Sequence, residues 1–104
     1  MSQKLKGSAR TYLRGLAHHL KPVVYLGKQG ITDSLIKSVN QALDAHELIK
    51  LKFTSFKEQR KTLAQEIEEH TQCEMVGLVG NIAIYYREQP DADKRKIQIP
   101  DSMR

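Results

Sequence analysis

From Leu48 onward the apolar pattern changes its period, and that change constrains the fold more than any other feature of the chain. Ile49, Leu51 and Phe53 alternate with Lys50, Lys52 and Thr54. Successive side chains of an extended strand point to opposite faces, so the run predicts a β-strand with one covered face and one open face. Upstream the spacing is helical. Ala9, Leu13, Leu16, Ala17 and Leu20 recur at three- and four-residue steps, which predicts an amphipathic helix over Ser8–Leu20, ended by Lys21-Pro22. The β-branched and aromatic run Val23–Leu26 predicts a short strand.

A second helix is expected to start at Thr32 or Asp33 and to bury Leu35, Ile36, Val39, Leu43 and His46. Ser55 and Glu58 have the S-x-x-E spacing of a capping box, opening a third helix whose apolar stripe is Leu63, Ala64 and Ile67 with Phe56. Glu74–Val79 and Ile82–Arg87 read as strands joined by a tight turn at Gly80-Asn81. The order α-β-α-β-α-β-β contains two strand-helix-strand crossovers, which call for parallel neighbours, and one antiparallel hairpin. The expected fold is therefore α/β, a two-layer sandwich with a four-stranded mixed sheet. The open Lys50 and Lys52 face puts the helices on one face only.

The length of 104 residues, 39% of them hydrophobic, supports one core and one domain, read as residues 1–88, with residues 89–104 a polar, flexible tail. No apolar stretch is long enough to cross a bilayer and no apolar segment follows Met1, so a cytoplasmic protein is expected. The single cysteine, Cys73, cannot form an internal disulfide and reads as a small core residue.

The net charge of +5 is unevenly placed. Residues 1–30 carry Lys4, Lys6, Arg10, Arg14, Lys21 and Lys28 with no Asp or Glu. Clustered cations displace counterions from a phosphate backbone, so this segment suggests a polyanionic partner. At about 100° per residue, Lys6, Arg10, Arg14 and Lys21 form a stripe beside the apolar face of the first helix, with His18 along its edge. Gly27-Lys28-Gln29-Gly30 then lies between the first strand and the second helix. Two glycines let the backbone turn sharply and approach a ligand, the helix start attracts anions, and Lys28 adds a charge at the tip. A G-x-x-G loop clamps single-stranded backbone in KH domains, although there it joins two helices. The loop lacks the terminal Gly-Lys-Ser/Thr of a Walker motif. Stripe and loop are expected to make one basic surface.

Tyr25, Tyr85 and Arg87 are expected to share the open sheet face with Lys50 and Lys52, giving secondary contacts to unpaired bases. Chemistry is poorly provided for. His18, His19, His46 and His70 have no paired nucleophile, and His70 with Cys73 supplies only two of the three or four ligands a zinc site needs. No catalytic residue, metal or other cofactor is expected. Asp33 and Asp44 fit a helix start and a solvated helix face, and Lys94-Arg95-Lys96 a solvated tail.

The runs Pro22-Val23-Val24-Tyr25-Leu26-Gly27-Lys28-Gln29-Gly30-Ile31-Thr32, Ala42-Leu43, His46-Glu47-Leu48-Ile49-Lys50, Val79-Gly80 and Ile84-Tyr85-Tyr86-Arg87 together resemble the CRM domain, the chloroplast RNA splicing and ribosome maturation domain. Its short bacterial stand-alone version is the YhbY family. The similarity runs over roughly residues 4 to 87 and leaves out the tail. It implies a fold similar to the C-terminal domain of bacterial translation initiation factor three and RNA binding through the G-x-x-G loop, here Gly27, Lys28, Gln29 and Gly30. It also implies a partner in ribosomal RNA of large-subunit precursors. Neither a membrane nor a small-molecule substrate is expected. The role of Arg10 and Arg14 comes from helix geometry and not from the resemblance. The rival expectation is a protein-interaction adaptor among ribosomal or RNA-processing proteins.

Overall fold

The structure, a computed structural model, describes residues 5–104. Three helices and four strands follow the expected order: α1 (Gly7–Ala17), β1 (Val24–Leu26), α2 (Asp33–His46), β2 (Leu48–Phe53), α3 (Arg60–Thr71), β3 (Glu74–Val79) and β4 (Ile82–Tyr86). At α2 the helix begins where the sequence puts it. Thr32 caps α2, its Oγ1 accepting from the Leu35 N–H at 3.0 Å.

The sheet is mixed, in the order β1-β2-β4-β3. The β1–α2–β2 crossover gives parallel neighbours, with Tyr25 beside Lys52. The second crossover does not, because β4 inserts between β2 and β3 and pairs antiparallel with both. A bulge between Met75 and Gly77 leaves Val76 out of the β3–β4 register.

Two cores lie on opposite faces of this sheet. Ile49, Leu51, Phe53, Ala83 and Tyr85 pack with Leu35, Val39 and Leu43 of α2 and with Ala64 and Ile67 of α3. The alternate residues Leu48, Ile84 and Tyr86 pack with Ala9, Leu13 and Ala17 of α1. The expectation of helices on one face is thus corrected. α1 adds a partial third layer over the β3–β4 side, and only the β1–β2 side of that face, carrying Tyr25, Lys50 and Lys52, lacks a helix.

The expected loose tail is also corrected. Ile99 is buried in the α1 core, and Ile97 and Met103 pack against it. The anchor is Glu47, the residue between α2 and β2, which is 1% exposed. Its carboxylate accepts the backbone N–H groups of Gln89, Lys96 and Ile97. A buried carboxylate is tolerated only when its lone pairs are satisfied, and here the tail supplies the donors.

At the start of α3 the capping box does not form. Phe56 takes left-handed backbone (φ 54°), one turn of 3-10 helix covers Lys57–Gln59, and Gln59 occupies the cap position without a side-chain bond. Leu16, Leu20 and His46, expected to be covered, are exposed.

Candidate nucleic-acid interface

The Gly27–Gly30 loop leaves the C-terminal end of β1 as a turn closed by the Gly30 N–H donating to the Gly27 carbonyl at 3.0 Å. Only Gly30 needs its glycine for backbone reasons, since its φ of +69° is left-handed. Lys28 and Gln29 stand exposed at the tip. Among the described residues Lys28 makes no ion pair. The loop borders a cleft of about 440 Å³ between β1 and α2, lined by Tyr25, Lys28, Gln29, Thr32, Ser34 and Ser38 among others. Asp33 places a negative charge in the first turn of α2, so the helix start is already electrostatically occupied and the lysine is the stronger attraction for an anion.

The neighbouring connection is tied to this one. The backbone N–H and the Oγ1 of Thr54 both donate to the Leu26 carbonyl at 2.9 Å, which holds the β1–α2 and β2–α3 connections side by side. Phe56 lies in the second of them and packs on Gly30, where an added methyl group would meet its ring edge at 3.6 Å. Sequence reasoning assigned this ring to the α3 stripe and so missed its position.

The stripe on α1 goes elsewhere. The Arg10 guanidinium donates to the Met75 carbonyl at 3.1 Å and stands 3.6 Å from the Glu74 carboxylate. That of Arg14 donates to the Val76 carbonyl, freed by the bulge, at 2.8 Å. Its aliphatic stem runs so close to Gly77 that a Cβ there would sit 3.0 Å from Cδ. Both arginines are fixed to β3, the sheet edge opposite β1. At about 4.8 Å between neighbouring strands, roughly 14 Å separate the two edges. The continuous surface expected from stripe and loop is not formed. Lys6 caps α1 and is exposed, and Lys21 is exposed on the link to β1.

The secondary contacts divide. Lys52 is exposed, Lys50 Nζ donates to the Leu20 carbonyl at 3.0 Å, and Tyr25, 56% exposed, shares their face. Tyr85 does not join them. It is fully buried on the α2–α3 face, with its hydroxyl donating to the Ala64 carbonyl at 2.9 Å. Arg87 is likewise withdrawn, since its guanidinium donates to Asn40 Oδ1, the Asn40 and Thr71 carbonyls and the Asp44 carboxylate. These four polar partners clamp α2, α3 and the end of β4 together, and neither Tyr85 nor Arg87 can stack a base as expected.

Cys73 is buried with its Sγ 3.0 Å from Thr71 Oγ1, and burial pushes its thiol up to about 11. The hydroxyls of Tyr85 and Tyr86 are also raised by burial. Among the described residues no group of three or more His, Cys, Asp and Glu is placed to hold a metal, and no helix is long and apolar enough to cross a membrane.

Residues 5–87 match the family model of the CRS1 / YhbY (CRM) domain. An "RNA-binding protein" of Haemophilus influenzae is 37% identical over 92% of this chain and 95% of its own length. "Probable RNA-binding protein YqeI" of Bacillus subtilis is 32% identical over 92% of this chain and 99% of its own. The solution structure of a hypothetical protein from Staphylococcus aureus superposes with a TM-score of 0.78 at 34% identity, covering 93% of this chain and all of that one.

Proposed function

The chain belongs to the CRS1 / YhbY (CRM) domain family, and on that premise we propose that it binds RNA by gripping the backbone at the Gly27–Gly30 loop. The observation that carries this reading is Lys28, an exposed cation at the tip of a turn beside a cleft, without an ion pair among the described residues. The close turn lets phosphates approach the main chain while Lys28 supplies the charge. Lys21, Lys50 and Lys52 extend positive charge over the uncovered side of the sheet, whereas Arg10 and Arg14 chiefly hold α1 to β3. The relatives' names support RNA as the partner, and the family resemblance supports precursors of the large ribosomal subunit as the setting. Binding rather than turnover is the proposed activity.

The loop reading is tested with Lys28→Glu. RNA affinity should fall, and the slope of log affinity against log salt should become shallower by about 1. A folded variant with unchanged affinity and slope would sink it. The ribosomal setting is tested by sedimenting cell extracts before and after ribonuclease. Comigration with large-subunit precursors that ribonuclease abolishes supports it, whereas retention on its partners after digestion favours a protein adaptor.

A further inference from the structure

Phe56 is an aromatic residue in a conformation that disfavours it. A bulky side chain with positive φ is uncommon, and this one also leaves 43% of its surface in water. Its neighbours explain neither feature, because the ring does not complete the α2–α3 core and meets the loop at Gly30 instead. The next residue, Lys57, is exposed, and among the described residues neither Lys57 nor Lys28 makes an ion pair. A partly exposed aromatic ring packed on Gly30, with Lys57 next to it in sequence and Lys28 two residues before that glycine, is complementary to one ligand chemistry, a flat nucleobase joined to a phosphate chain.

We propose that Phe56 is a base-stacking platform, so that the Gly27–Gly30 loop holds the backbone of an unpaired nucleotide while the ring takes its base. The inference rests on the RNA-binding reading and deepens it, since it specifies single-stranded RNA. A base inside a duplex presents its edges and not its faces, and reaches the platform only by leaving the stack. The contact is indifferent to sequence, because every base has a π face.

The chain has no tryptophan, so Phe56→Trp installs a single indole at the platform, excited selectively over the four tyrosines at the red edge of their absorption. Titration of this variant with a short single-stranded RNA should quench its emission in step with the anisotropy change of the labelled strand. A blunt RNA duplex of equal length should leave the emission unchanged. Phe56→Asn, which tolerates left-handed backbone, should weaken single-strand binding about fivefold or more. Its circular dichroism and thermal midpoint establish that it is folded, and Phe56→Trp should rescue binding where Phe56→Asn fails. Binding of the single strand with silent tryptophan emission, or unaltered affinity in folded Phe56→Asn, overturns the platform and leaves RNA binding at the loop intact. Absence of any anisotropy change with the unsubstituted protein overturns both readings.

Discussion

The two basic regions of the N-terminal third, alike in sequence, are put to different uses. Along α1, Arg10 and Arg14 donate to the carbonyls of Met75 and Val76 on an edge strand. At the tip of the β1–α2 loop, Lys28 extends into solvent. The difference follows from side-chain chemistry. A guanidinium offers five donors in a planar fork and satisfies the exposed carbonyls of a sheet edge or bulge, while an ammonium on a flexible stem remains hydrated. Counting cations along a chain therefore overstates the charge available to a partner wherever arginines lie beside an unpaired strand.

Replacements at the two regions should separate stability from binding. The largest expected effect comes from Arg87, which shares the anchoring use: Arg87→Ala should cost about 3 kcal/mol in denaturant unfolding, because buried carbonyls lose their donor. RNA affinity of the folded fraction should stay unchanged. Next, Arg10→Ala with Arg14→Ala should cost about 2 kcal/mol, from lost charge-assisted bonds and stem packing, with little change in the salt slope of RNA binding. A salt slope reduced as much as by Lys28→Glu would break the comparison. Lys28→Glu itself should weaken RNA binding about tenfold, or about 1.4 kcal/mol, while unfolding shifts by less than about 0.5 kcal/mol.

The last effect concerns the interior and is read as a pH dependence. Cys73 loses its proton near the ordinary thiol value of 9.0 when unfolded but only at about 11 when folded. Between those values the unfolded state binds fewer protons, so stability should decline as pH rises from 9 toward 11, by roughly 1 kcal/mol per unit. Urea melts at pH 8 and 9.5, below the range where the buried Tyr85 and Tyr86 hydroxyls add most of their own decline, measure this, and Cys73→Ala should flatten it.

What was legible in the sequence was what neighbours along the chain decide. Thr32 caps α2, Gly80 and Asn81 turn the hairpin, and the parity of Ile49, Leu51 and Phe53 faces them to one core. What escaped depends on distant partners. An apolar stripe such as Ala9, Leu13 and Ala17 fits either face of a sheet, so the side taken by α1 was not fixed by its own pattern. The same choice moved Tyr85, because the face of β4 that it occupies follows from register with β2 and not from alternation alone. Phe56 obeyed helical spacing on paper, but its left-handed backbone lies before the helix and turns the ring toward Gly30. At the candidate site, the loop residues were found where expected. The sequence offered one signal for Glu47 that went unused, a lone acid between a helix and a strand inside the His46–Lys50 run.

Glu47 gives the boundary of the molecule a second meaning. The family model stops at residue 87, while the donors that neutralise this carboxylate lie at Gln89, Lys96 and Ile97. A fragment trimmed to residue 87 would keep an acid in its interior and discard the main chain that solvates it. The family model thus ends short of the packed unit, and a chain cut at its limit would carry an uncompensated charge where the α2–β2 junction must close.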